Sequence, residues 1–211
     1  MRTKKYMIAV LAIGIGSILF SSCTKRDHYQ TQPTGYQNVF DEEFNNDALG
    51  WSFTNSADSS YADVASGTYE IVNYSKLRSH NETVSTGANF NYDFQVQTSI
   101  QTNYEMALIF GASNTDNGYS FFIDNSGYYA LYYEGSNTIG FSTIIDWTAS
   151  SAIKINGFNN LEIDQVGNLW VGYINNTQVF KIKAYGVNGS QCGFMAMPGT
   201  TGYADYLTVK W

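Results

Sequence analysis

The chain has 211 residues, 44% of them hydrophobic and 16% aromatic but only 14% charged, with 17 Tyr, 13 Phe and 4 Trp. That apolar content excludes a disordered chain, and the aromatic excess over charge favours half-buried strands over long charged helices. With 11 Lys and Arg against 18 Asp and Glu, a net charge of −7, the balance speaks against a nucleic-acid binder.

The first element in chain order is a processing segment, residues 1–22. Arg2, Lys4 and Lys5 form a basic start, Met7 to Phe20 an apolar run, and Ser21-Ser22-Cys23 a small-residue cleavage site. The run is too short for a comfortable membrane span, which needs about 20 apolar residues. A Cys directly after two small residues resembles the lipobox of bacterial lipoproteins. Phe20 stands where Leu is usual, a relaxation similar to that of lipoproteins of the Bacteroidota. The resemblance implies a lipid on Cys23 as the mature N-terminus and an anchor in the outer membrane of a Gram-negative bacterium. An ordinary secretory signal with an incidental Cys is the alternative.

Residues 23–39 read as a lipid-anchored flexible tether, polar and without apolar period, with Pro33 and Gly35 in it. Loss of the leader removes three of the 11 basic residues and leaves 8 against 18 acidic ones, a net charge of −10. If Cys23 carries lipid, Cys192 is alone, and its apolar surroundings mark it as a small buried hydrophobe.

From Phe40 to Trp211 the periodicity is two. Over Asn91 to Gln101, Tyr92, Phe94, Val96, Thr98 and Ile100 share one face and the Asn, Asp, Gln and Ser residues share the other. Met106 to Phe110 is continuously apolar, which predicts a strand buried on both sides. Tyr119 to Ile123 and Tyr128 to Tyr133 flank Asp124-Asn125-Ser126-Gly127, a hairpin signal. Leu161 to Gln165 and Leu169 to Ile174 flank Val166-Gly167-Asn168, a second one. Asn175-Asn176-Thr177 turns into a further strand, and Phe194 to Met197 and Tyr206 to Trp211 close the series. Turn signals every 8–12 residues, without helical spacing or a fixed repeat, predict an all-β sandwich or barrel over residues 40–211.

Phe40-Asp41-Glu42-Glu43-Phe44 followed by Gly50-Trp51-Ser52-Phe53 resembles the opening of concanavalin A-like, laminin-G-type jelly rolls. Asn160 to Asp164, the Gly167 turn, and Leu169 to Asn175 resemble their late hairpin, with Asn176 in place of the usual Gly. The chain is similar also to the domain of bacterial 3-keto-disaccharide hydrolases. The resemblance implies two stacked antiparallel sheets forming a jelly-roll sandwich, one sheet concave, and glycans as the commonest ligands. Fold by itself does not carry function across.

Glu162-Ile163-Asp164 resembles the start of the catalytic strand of laminarinase-type glycoside hydrolases, Glu-x-Asp-x-Glu or Glu-x-Asp-x-x-Glu. Alternate residues of such a strand face the sugar together, and a retaining pair works across about 5–5.5 Å. Here Gln165, Val166 and Gly167 follow, so the second Glu is absent and the strand has no leaving-group acid. The expected arrangement is Leu161 and Ile163 inward with both carboxylates outward, and no catalytic residue is assigned. His80 is the only His outside the tether, which excludes a multi-His metal site. Gly118 to Phe122 fails as a nucleophile elbow at its last position. Asp116 and Asp124 are the residues that could give oxygen ligands to calcium, although Asn, Asp and Gly clusters equally build hairpin turns.

Sugar binders stack C–H faces on exposed rings and bracket the hydroxyls with amides and carboxylates. Tyr128, Tyr132, Trp147 (placed in a loop) and Trp170 are the ring candidates. Tyr is also at home in strands without any ligand. Three readings stay open: a surface-anchored glycan-binding lipoprotein, which the sequence favours; a glycosidase-like enzyme with a non-standard site; and a structural or adhesion module that binds protein.

Overall fold

The computed structural model describes residues 35–57, 59–114, 117–135 and 141–211. The leader, Cys23, the tether up to residue 34 and Asp116 lie outside the described residues. Among these, the regular structure is all strand and every strand pairing is antiparallel.

Nine strands form one sheet: β1 (Val39–Glu42), β2 (Phe53–Asn55), β3 (Ser60–Ala65), β4 (Thr68–Asn73), β6 (Phe94–Thr102), β11 (Asn159–Val166), β12 (Leu169–Ile174), β13 (Thr177–Lys183) and β15 (Thr200–Lys210). Their order is β13-β12-β11-β6-β15-β4-β3-β2, and β1 pairs with the C-terminal half of β15 beyond the reach of β4. The six-stranded sheet contains β5 (His80–Ser85), β7 (Glu105–Ala112), β8 (Gly118–Asp124), β9 (Tyr128–Glu134), β10 (Phe141–Ala149) and β14 (Gln191–Ala196), in the order β10-β9-β8-β7-β14-β5. This is the two-sheet antiparallel sandwich of the jelly-roll class.

Alternation explains which residues fill the space between the sheets. From β6, Phe94, Val96 and Ile100 enter the core, while Gln95, Gln97 and Gln101 face away. Leu161 and Ile163 of β11 are fully buried opposite them. Trp51, Trp170, Tyr69, Phe44, Phe94, Phe110, Phe121, Phe122 and Phe194 are the largest fully buried side chains, so aromatic rings dominate the core. Each such side chain contributes about 1.5–3 kcal/mol of transfer free energy. Strand β7 is buried on both faces as its unbroken apolar run requires. Met106, Leu108 and Phe110 point into the main core, while Ala107, Ile109 and Ala112 join Phe122, Ala130 and Met195 in a second cluster on the far side of the six-stranded sheet.

The turns follow their residues. Asp124 Oδ1 accepts from the N–H groups of Ser126 and Tyr128 at 2.9 and 2.8 Å, closing the β8–β9 hairpin. Asn175 and Asn176 carry φ of 49° and 64°, the pair of left-handed residues that a two-residue hairpin demands. Three expectations change. β6 begins at Phe94, because the Asn89–Asp93 stretch closes a turn (Tyr92 N–H to Asn89 C=O, 3.3 Å) and leaves Tyr92 off the strand and 68% exposed. Trp147 lies in strand β10, not in a loop; β10 breaks register with β9 twice, between Thr143 and Ile145 and between Ile145 and Thr148, which obscures its alternation. Finally, the end of the segment assigned to the tether is part of the fold: Val39 opens β1, and the N–H groups of Gln37 and Asn38 both donate to the Trp211 C=O at 3.0 Å.

Candidate functional site

The Glu-x-Asp strand has the orientation expected of it, but its carboxylates are not plainly solvated. On the outer face of the nine-stranded sheet, register places Glu162 beside Gln97 and Asp164 beside Gln95. Gln95 Nε2 donates to both carboxylates, to Glu162 Oε1 at 3.2 Å and to Asp164 Oδ1 at 3.1 Å. Gln97 Nε2 donates to Glu162 Oε2 at 2.5 Å, and Lys210 Nζ donates to Gln95 Oε1 at 3.2 Å. Two acids, two amides and one ammonium thus form a single half-buried network on three neighbouring strands, β11, β6 and β15.

Its electrostatics follow from that crowding. Burial first, and then the charge of Glu162, push the Asp164 carboxyl up to about 7; the Gln95 amide and Lys210 pull it back only in part. Tyr173 on β12 and Tyr206 on β15 flank the pair, and their phenols are pushed up first by burial and then by these charges, with Glu162 acting on both. Tyr36 comes from the segment before β1. It lines the cleft described next, and its phenol is pushed up to about 12, by burial and then by Asp164, Asp93 and Glu162.

Beyond Tyr36 the face opens into a cleft of about 740 Å³, lined by residues 35–38, 89, 91–93, 165, 167 and 211. Tyr92 and Trp211 supply rings there, Asn89 and Asn91 amides, and Asp93 a carboxylate whose Oδ1 accepts from the Gly167 N–H at 2.7 Å. Sequence reading passed over Tyr36 and Tyr92, the first as tether and the second as core face. The Asn-rich turn from Asn89 to Asp93 is the signal that could have found Tyr92.

The four ring candidates divide. Trp170 is fully buried, in edge-on contact with Phe110 and Tyr119, and its indole N–H donates to Gln165 Oε1 at 2.8 Å. It presents no face to a ligand and is withdrawn as a binding residue, because β12 directs Trp170 inward between the outward-facing Leu169 and Val171. Tyr132 and Trp147 meet on the far face of the six-stranded sheet, ring centroids 6.4 Å apart, over Phe122 and beside Phe141. Tyr128, 41% exposed, lies on the same strand as Tyr132, at its other end and opposite Ala149. Both groups are separated from the Glu162–Asp164 network by the full thickness of the sandwich. Of the calcium candidates, Asp124 is engaged in its own turn, and among the described residues no three His, Cys, Asp or Glu side chains gather closely enough to hold a metal ion.

No family model matches the chain, and no curated protein matches it. Solved structures do. The GlcNAcα1-4Gal-releasing endo-β-galactosidase of Clostridium perfringens aligns with a TM-score of 0.53 and 10% identity, over 84% of this chain and 63% of that one. A carbohydrate binding module from Bacillus subtilis aligns at 0.47 and 14% identity over 75% of this chain and 90% of its own, and a galectin of Caenorhabditis elegans at 0.47 and 11% over 61% and 89%. At 10% identity the likeness to the galactosidase is one of fold, the two-sheet sandwich described above.

Proposed function

We propose that this protein binds a neutral carbohydrate without cleaving it, on the outer face of the nine-stranded sheet. The observation that carries the reading is the Glu162–Asp164 pair held by Gln95 and Gln97. A sugar ring offers hydroxyls that both donate and accept, so it is matched by fixed acceptors and fixed donors side by side. Here the carboxylates have further lone pairs with which to accept, Gln97 has a second amide N–H to donate while Gln95 spends both of its own on Glu162 and Asp164, and Tyr36, Tyr173 and Tyr206 lie close by. Charge selects against acidic glycans, since Lys210 is the one cation in the network and the chain without its leader carries a net −10.

Cleavage is disfavoured by the same geometry. Glycoside hydrolysis places its two carboxyl groups across the scissile bond. Glu162 and Asp164 instead share one amide donor, Gln95 Nε2, which bridges the two carboxylates. The next residues offer no acid: Gln165 is buried with its side chain committed to Trp170 and to the Tyr92 C=O, and Val166 is exposed. A lipid on Cys23 would hold this domain at the outer membrane through residues 24–34, the placement proposed from the lipobox resemblance.

The test is affinity electrophoresis through gels containing neutral polysaccharides, run with wild type, Gln97→Ala, Glu162→Gln and Trp147→Ala, alongside a reducing-sugar assay. Retardation of wild type and Trp147→Ala, but not of the two network variants, is the expected result. Loss of retardation in Trp147→Ala alone would move the site to the other sheet, and released reducing ends would make the protein an enzyme.

A further inference from the structure

We infer that the cleft between Tyr36, Tyr92 and Trp211 is a second sugar subsite, continuous with the carboxylate network, so that the ligand is a stretch of linear glycan and not a single terminal sugar. The inference rests on the carbohydrate reading above and adds to it the length and position of the ligand.

The cleft's volume of about 740 Å³ lies within the ordinary range for small-ligand sites, roughly 300–1,000 Å³. Its rings are held by the backbone around them. Tyr92 is 68% exposed, yet its N–H bonds the Asn89 C=O and its C=O accepts from Gln165 Nε2 at 3.0 Å. Gln165 in turn is locked by the buried Trp170 indole, so an exposed ring stands on a support that reaches into the core. Trp211 is clipped on both sides, its N–H to the Asn38 C=O at 3.2 Å and its C=O to the N–H groups of Gln37 and Asn38. The Asp93 bond to Gly167 ties the third wall to the β11–β12 turn. Trp211 rests partly on the main core, and Tyr92 stands exposed beside it with amides around it, a ring that the packing of the sandwich does not use. They are preorganised for a ligand with apolar faces and many hydroxyls.

Register supplies the continuity. Lys210, beside Gln95 on the network's last row, immediately precedes Trp211, and Asp93 lies two residues before Gln95. Tyr36 lines the cleft together with Asp93, Gln165 and Trp211, and feels the charge of Asp164 and Asp93 alike. At about 3.3 Å per residue, the track from the Ser99–Tyr206 row to Phe94, where β6 begins and the turn carrying Tyr92 ends, runs roughly 16 Å, which is longer than one sugar ring.

Affinities of the mature chain for gluco-, xylo- and manno-oligosaccharides of two to six units, measured by calorimetry, test the inference. In wild type, affinity for the best series should rise about ten-fold between the dimer and the longest members, the value of one additional ring contact. Tyr92→Ala, an exposed side chain whose loss leaves the core intact, should abolish that rise and leave dimer affinity unchanged, whereas Glu162→Gln should weaken every length. If Tyr92→Ala binds the hexamer as wild type does, or weakens dimer and hexamer equally, the second subsite is refuted while the carbohydrate reading stands. If wild type binds no member of any series, or Glu162→Gln is without effect, the carbohydrate reading falls and the subsite with it.

Discussion

Replacing Asp164 with Asn tests the electrostatics of the network without any ligand. In the folded protein Asp164 keeps its proton up to about pH 7, against an ordinary value of 3.8. Between those values the folded state therefore binds more protons than the unfolded chain, and stability falls as pH rises. The gap of about three pH units corresponds to ~4 kcal/mol if nothing screens the site. Solvent reaches these half-buried carboxylates, which reduces the expected effect to ~1–2 kcal/mol. Asn cannot ionise, yet it can accept from Gln95 and donate to Glu162, so Asp164→Asn should match wild type at pH 5 and exceed it by that amount at pH 8.5. For a domain of this size the gain raises the unfolding midpoint by about 2–8 °C. Thermal unfolding followed by circular dichroism at both pH values measures it. A variant equally destabilised at every pH, or a wild type that gains stability from pH 5 to 8.5 relative to the variant, would refute the reasoning.

Three further outcomes are expected. Trp170→Ala should cost about 3–5 kcal/mol in urea unfolding, since it leaves a cavity in the main core and strands Gln165; a cost below 1 kcal/mol would mean that the ring is not packed as described. Gly193→Ala should part β5 from β14, because a Cβ there collides with the Glu82 carbonyl and approaches the Thr83 Cα at 2.7 Å, and backbone cannot swing aside; limited proteolysis should then cut within His80–Ser85, and a resistant variant would contradict that contact. Burial pushes the Cys192 thiol up to about 12, so in a chain carrying Cys23→Ala it should resist iodoacetamide at pH 8 until denaturant is added, as mass spectrometry would report.

What could be read from the sequence was local. Alternation in β6, the unbroken run in β7 and the Asn and Gly turns identify strands and hairpins because each signal lies within a few residues. Trp147 escaped because β10 is bulged, and Tyr92 because its turn continues the polar-apolar alternation of the strand after it. The site was less legible for a different reason. Gln95 and Gln97 meet Glu162 and Asp164 across 65 to 69 residues of chain, and Tyr36 reaches them from the far side of β1. Sequence showed that the carboxylates face outward; only the register of β6 against β11 shows that glutamines hold them and that burial leaves one acid protonated near neutral pH. Trp170 makes the converse point, since its inward direction is set by its hairpin with β11 and by a bond to Gln165, neither of which composition reports.

Strand β15, last in chain order of the fifteen among the described residues, lies in the middle of the nine-stranded sheet with β6 on one side and β4 and β1 on the other. The sheet therefore cannot close in the order in which its strands are made. Until residues 200–210 arrive, β1, β4 and β6 each wait with an open edge, exposed to pairing with other chains. Such distant pairings form slowly. In pulsed hydrogen exchange during refolding, protection of β6 on its β15 side should appear together with that of β15 itself, while the local β8–β9 and β11–β12 hairpins gain theirs earlier. The face that carries the carboxylate network is thus completed late, by the element that also contributes the network's lysine, Lys210.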